Sequence, residues 1–316
     1  MSESSADRDA TPDFASEFRL CWSKLPGKRL FLSLFLLWVA LFHFAGNSTL
    51  GYVDTHSLFG WMNNAYRYGA DDQHGYLIPL LVLVLAWQKR DVLLAAPKKP
   101  WWPALCFFLI GLLFHLAGYL VQQPRVSIIG FFLGLYGLIG LTWGPILLKH
   151  VRFLMFLFVF CIPVSSLAEG ITFPLRLIVT ESSVKFSQTV LGIDVFRNGS
   201  QIFNGQGLPM YDVAPACSGI RSLTVLIALT MVYSYLTFES GWKRLLMILM
   251  SAPLAVAANT IRIITVIIIG EAFGQEAGAA IEQKFGFVTF GIALGLVFLL
   301  GFLLQKMPLP NRPSLA

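Results

Sequence analysis

From about residue 30 to residue 305 the chain is a succession of apolar runs, each closed by a turn-forming or basic group. No other feature constrains the fold as strongly. About 20 apolar residues cross a bilayer as a helix, and backbone inside lipid must satisfy its own hydrogen bonds. The runs fall at about 30–46, 76–88, 101–121, 126–145, 153–168, 217–237, 244–269 and 285–305. Only 13% of the residues are charged, against roughly 25% in a soluble domain. The expected fold class is therefore an all-α polytopic membrane protein of about eight transmembrane helices, the first run being a retained span.

The segments between the runs add detail. Residues 1–29 read as a polar N-terminal tail ending in Lys24, Lys28 and Arg29. Residues 47–75 place Phe59, Trp61, Met62, Tyr66 and Tyr68 among Asn63, Asn64 and Arg67, the pattern of an interfacial amphipathic helix. A second amphipathic segment spans about 170–191. There Ile171, Leu175, Ile178, Val179, Phe186 and Val190 recur at roughly helical spacing among Arg176, Glu181 and Lys185. Residues 193–213 change period. Short apolar runs are separated by Asn198-Gly199 and Asn204-Gly205, the chemistry of hairpin turns, so a small β element is expected outside the bilayer core. Residues 271–284 read as a polar loop, and 306–316 as a polar C-terminal tail.

Charge orients the spans. Eight spans put both termini on one side, and with the N-terminus cytoplasmic the inner segments hold fifteen Lys and Arg against eight outside. Positive residues collect on the cytoplasmic side. The β element, His74 and the loop before the last span are then extracytoplasmic, and Arg262 approaches the same face. The net charge of +6 serves this topology; no nucleic-acid-binding signature accompanies it.

One stretch combines groups able to do covalent chemistry: Pro209 to Leu223, with Cys217 at the junction of the β element and the sixth run. Cys106 and Cys161 lie inside apolar runs, and Cys21 lies in the N-terminal segment. No spacing suggests a metal site or disulfide framework. A thiolate is stabilised at a helix N-terminus and by a nearby cation; Arg221 and Arg262 are the candidate cations. Ser218 and Gly219 put small groups where backbone donors could meet an oxyanion. The plainer reading of Cys217 is an inert interfacial thiol. Arg262, in Asn259-Thr260-Ile261-Arg262-Ile263, is a cation inside or at the edge of a span. Such cations mark function, the plainer reading being one that snorkels to the interface. No phosphate loop, haem motif or zinc spacing is present, so no cofactor and no metal is expected.

Ala216-Cys217-Ser218-Gly219-Ile220-Arg221-Ser222-Leu223, followed one span later by Asn259-Thr260-Ile261-Arg262-Ile263, resembles the exosortase/archaeosortase family, and the bacterial exosortases more than the archaeal branch. Gln73-His74-Gly75-Tyr76-Leu77-Ile78-Pro79 adds to the likeness, which covers roughly residues 30–305. The resemblance implies a domain layout: a cytoplasmic tail over 1–29, an exosortase-like membrane domain over 30–305 with an extracytoplasmic segment at 169–216, and a cytoplasmic tail over 306–316. It also implies a cysteine protease or transpeptidase of the bacterial inner membrane with its site on the periplasmic face. Its partners would be membrane lipid and exported proteins ending in a tripartite tail: a short motif such as Pro-Glu-Pro, an apolar span and a basic cluster. Cys217 would form an acyl-thioester, and Arg262 would donate a proton or hold the oxyanion. The family's third residue is commonly His, sometimes Asn or Arg, shortly before a Gly ahead of the last span. Here that stretch is Glu282-Gln283-Lys284-Phe285-Gly286, without His. Glu282 takes the position by spacing, Lys284 if the register slips, and His74 could supply an imidazole. A transporter using Arg262 as a substrate charge, or a non-catalytic assembly protein for surface export, are the competing classes. Against the transporter, no internal repeat is visible and the polar features gather on one face.

Overall fold

The computed structural model describes residues 13–69, 72–207, 209–212, 220–284 and 286–307. The chain divides into two compact units. The first, Met1–Gly69 with Gln73–Pro163, carries α1 (Phe14–Ser23), α2 (Lys28–Phe44), α3 (Leu58–Tyr68), α4 (Leu77–Gln88), α5 (Arg90–Ala95), α6 (Ala104–Leu120), α7 (Pro124–Trp143) and α8 (Pro145–Phe156). The second, Ala70–Asp72 with Val164–Ala316, carries α9 (Ser165–Thr189), β1 (Val195–Asn198), β2 (Gln201–Asn204), β3 (Pro209–Asp212), α10 (Ile220–Thr237), α11 (Gly241–Phe273), α12 (Gln275–Lys284) and α13 (Gly286–Lys306).

Large apolar side chains such as Leu36 and Leu37 on α2, Leu83 on α4 and Leu249 on α11 are exposed, as lipid-facing surface requires. This is a helical membrane protein. Among the described residues three helices are long and apolar enough to cross a membrane: Pro124–Trp143, Gly241–Phe273 and Val288–Lys306. The pair α1 and α2, bent by 99°, would be a fourth if it counted as one span. The apolar helices Gln73–Gln88, Ala104–Leu120 and Leu223–Thr237 are shorter.

In the first unit α6 and α7 form a hairpin so close that a side chain on Gly111 would lie 2.7 Å from the Gly130 carbonyl oxygen. Small residues allow this approach between membrane helices. Trp38 on α2 donates its indole N–H to the Phe131 carbonyl at 3.0 Å, so α2 is pinned across the same glycine face. The expected amphipathic helix is α3. Ser57 caps it by accepting from the Gly60 N–H at 3.1 Å, and Leu58 and Tyr66 are its buried residues.

Three expectations change. The tail over 1–29 contains a helix, α1, in which Phe14, Phe18 and Trp22 recur at a four-residue period; Phe18 stacks with Phe14 and Trp22, and both phenylalanines pack tilted against Trp87. The run at 153–168 is not one helix. It ends α8, passes through a 3-10 turn at Leu157–Cys161 and stops at Ile162, which is extended; the following Pro163 disfavours helical geometry there. The polar stretch 271–284 is the end of α11, a turn at Gly274 and the helix α12. Gly274 has φ +92°, a conformation that favours glycine.

In the second unit the three strands form an antiparallel sheet in the order β1-β2-β3. Asn198 pairs with Gln201, so Gly199-Ser200 is the two-residue turn. Val195 and Ile202 are fully buried and pack on Val179 and Val184 of α9 and on Ile263, Val266 and Ile267 of α11. The sheet is thus seated on a helix pair. At the entry to α9 the Asp72 carboxylate accepts from the Val164 N–H at 3.0 Å, a favourable place for negative charge.

Candidate active site

The frame of the site is the helix set α10, α11 and α13. Only Phe238, Glu239 and Ser240 join α10 to α11, and so short a connection makes neighbouring helices antiparallel. Arg244 fastens that turn, its Nε donating to the Phe238 carbonyl at 2.6 Å. At the same end the Lys243 ammonium donates to the carbonyls of Leu304 at 2.6 Å and Met307 at 2.8 Å. The last turn of α13 is therefore tied to the first turn of α11. Met247 and Ala258 of α11 pack with Ala293, Val297 and Leu304 of α13 in one apolar cluster.

These ties set the heights of everything above them. Arg262 stands about 28 Å along α11 from Lys243, at 1.5 Å per residue. The same distance back along α13 from Leu304 reaches about residue 285, the junction of α12 and α13. Counted from its loop, α10 begins at Ile220 about one turn short of the level of Arg262. The start of α10, the buried pair Asn259 and Arg262, and the end of α12 are thus brought to one end of the unit. Arg262 is only 9% exposed and Asn259 only 5%. They lie three residues apart, on the buried stripe of α11 that continues through Ile263, Val266, Ile267 and Gly270. The plainer expectation for Arg262, a side chain snorkelling into water, does not describe a guanidinium this enclosed.

The sheet is part of the same arrangement, because Val195 and Ile202 pack on Ile263, the residue after Arg262. Cys217 and Ser218 lie outside the described residues. By sequence they fall between Asp212, the end of β3, and Ile220, the start of α10. Arg221 is in the first turn of α10; Glu282 and Lys284 are in the last turn of α12.

The family model for transmembrane exosortase (Exosortase_EpsH) matches residues 61–299. The chain belongs to this family. The match takes in every element of the frame, from α3 to the greater part of α13. No curated protein and no solved structure matches the chain.

In this exosortase-family chain His74 belongs to the first unit, in a 3-10 turn at Gln73–Tyr76. That turn is held from within its own unit: the Cys161 thiol lies 3.8 Å from the Gly75 carbonyl oxygen, and the Tyr66 hydroxyl donates to the Cys161 carbonyl. Sequence reasoning undervalued one residue. Arg176 on α9 is 6% exposed, a second enclosed guanidinium in the unit that holds Arg262. Its helix also buries Thr180, Ser183 and Ser187, and Ser183 Oγ donates to the Thr260 carbonyl at 3.5 Å. Three of the six apolar residues that defined this segment, Ile178, Phe186 and Val190, are exposed, whereas Val179 is buried. The signal was in the sequence: Arg176, Thr180, Ser183 and Ser187 recur every three or four residues.

Proposed function

We propose that this chain is a membrane-embedded cysteine transpeptidase that cleaves the C-terminal sorting tail of exported proteins, of the Pro-Glu-Pro class. The observation that carries the reading is the enclosure of Arg262 at the end of the unit where α10 begins and α12 ends, within a family match covering residues 61–299. Cys217 follows Asp212 by five residues and precedes Ile220 by three. At no more than about 3.6 Å per residue, the thiol is tethered close to that end.

The Cys217 thiolate attacks the carbonyl carbon of the scissile peptide bond near the motif. Arg262 holds the oxyanion or gives the proton that the leaving amide nitrogen needs. Collapse releases the apolar span and basic cluster as an amine and leaves an acyl-thioester on Cys217. A second nucleophile then adds to the thioester carbonyl and restores the thiolate. Arg221, Ser218 and Asn259 are supporting groups around the thiol and Arg262. Glu282 or Lys284 takes the third role. A carboxylate at 282 accepts a proton, whereas an ammonium at 284 would stabilise negative charge; His74 is the remaining candidate base. The chain sits in the bacterial inner membrane with both termini cytoplasmic, and the site and sheet face the periplasm.

Cys217→Ala and Cys217→Ser, expressed beside an exported protein carrying such a tail, test the reading. Uncleaved substrate is expected to accumulate while the variant inserts normally. Unchanged cleavage in Cys217→Ala would sink the proposal. Transport that tolerates this change but fails on replacing Arg262 would establish the transporter instead.

A further inference from the structure

The first unit holds a cavity of about 700 Å³ beneath α1, far in sequence from Cys217 and Arg262. Phe18, Trp22, Leu83, Trp87, Ile139 and Val151 are among its walls. Apart from Cys21, Gln88 and Arg90, every lining side chain is a hydrocarbon or a ring. The α1–α2 bend of 99° turns α1 across α2, as an interfacial helix turns across a span. Trp143 Nε1 donates to the Pro26 carbonyl at 2.8 Å and holds this bend.

Among the described residues that line the cavity, Arg90 is the one with a charged side chain. Its guanidinium lies 4.8 Å over the Trp87 ring and pairs with Glu17 at 2.7 Å. The surrounding segments 13–29, 88–100 and 145–152 carry ten Lys and Arg against three Asp and Glu. Three of these cations donate to carbonyls, Arg90 itself to that of Trp87 at 3.3 Å. Lys28 donates to Trp22 and Ser23, and Lys98 to Leu93, Leu94 and Ala96.

We infer that this cavity is a binding site for an anionic phospholipid, one acyl chain between α1 and α4 and the phosphate on Arg90. The walls select the chain. An extended peptide would bring backbone N–H and C=O groups that these side chains cannot satisfy, and a helix is about 10 Å across, whereas an acyl chain is thin and brings no such groups. The rim selects the charge, since basic residues beside a membrane surface attract anionic lipid. Arginine has five donors, so Arg90 can hold Glu17 and a phosphate oxygen together, although the Glu17 carboxylate opposes the phosphate.

The test uses the full-length chain in a neutral detergent, with phosphatidylglycerol and phosphatidylcholine of identical acyl chains titrated by native mass spectrometry. Phosphatidylglycerol is expected to bind about tenfold more tightly. Arg90→Gln should abolish that preference by weakening phosphatidylglycerol binding more than phosphatidylcholine binding, and Glu17→Gln should increase it. A pure packing role for the Arg90–Glu17 pair predicts no such opposite pair of effects. Phosphatidylglycerol with brominated chains should quench tryptophan fluorescence in the wild type, and Val151→Trp, which fills the cavity, should reduce lipid binding. Equal affinity for the two lipids in the wild type, or a preference unmoved by both charge variants, overturns the proposal. So does a lipid-free dimer that Val151→Trp dissociates, because a second copy would then be the occupant.

Discussion

The Lys243 ammonium, 5% exposed, donates to the Leu304 carbonyl at 2.6 Å and sets the height of α13 against α11. Two helices that share a fixed point at one end are in register at the other. At about 1.5 Å per residue, Arg262 and the first turn of α13 come to about the same height above that point. Lys243→Met keeps the bulk but strips the donor from two carbonyls. A hydrogen bond to a charged group contributes about 1.5–3 kcal/mol. The variant is expected to melt at a lower temperature in detergent, and to lose substrate cleavage before it loses membrane insertion.

Arg262→Lys keeps the charge but loses the planar fork of donors, and Arg262→Gln loses the charge as well. If Arg262 stabilises the oxyanion, Arg262→Gln should slow cleavage by about 10²–10³-fold, the usual effect of losing such a donor. Arg262→Lys should fall between this and wild type. Rates from a tail-peptide assay with purified protein decide it. Equal, near-wild-type rates would assign Arg262 to packing.

Ile202 is fully buried under the sheet, against α9 and α11. Ile202→Ala is expected to cost about 2–5 kcal/mol in that cluster. The sheet should loosen while the helices stay in place. Limited proteolysis would then cut within 193–212 in the variant and not in wild type, and cleavage of substrate should fall although Cys217 is intact.

Gly130→Val places a branched side chain where the ideal Cβ position already lies 2.9 Å from the His115 backbone nitrogen. Overpacking of this kind costs about 1–3 kcal/mol. The α6–α7 hairpin should separate, seen as a lower melting temperature, with Arg262 and its helix unaffected in chemical labelling of the second unit.

Glu282→Gln and Lys284→Met divide the third role. If Glu282 is the proton acceptor, Glu282→Gln should lower the cleavage rate and flatten its rise with pH, while Lys284→Met leaves the profile unchanged. The reverse pattern assigns Lys284. If neither changes the profile and His74→Ala does, the imidazole is the base.

Much of this was legible in the chain. The hairpin between β1 and β2 follows from Asn198-Gly199, whose glycine takes φ +62°. The breaks at Gly144-Pro145 and Gln123-Pro124 follow from the rigid proline ring: each proline opens a helix at its first position. Arg262 stood out because an arginine between isoleucines is costly in a span. Other features were read differently. The 170–191 segment is marked by its apolar residues, yet only part of that set, Val179, joins Val184 in the cluster with α11, and the buried polar Ser183 adds a contact to Thr260. Helical periodicity shows that a helix has two faces, and it does not show which of them is buried.

The sequence by itself determined that the chain is a helical membrane protein with a small sheet. Apolar length and turn chemistry act locally, and each run carries its own information. It also singled out Arg262, through the cost of its charge. Only the tertiary structure decided that Arg262 is enclosed, that Gln275–Lys284 is a helix, and that the sheet packs in one cluster with Ile263. Those facts depend on hydrogen bonds and contacts between residues such as Lys243 and Leu304, sixty-one positions apart. Local propensity carries no record of such pairings.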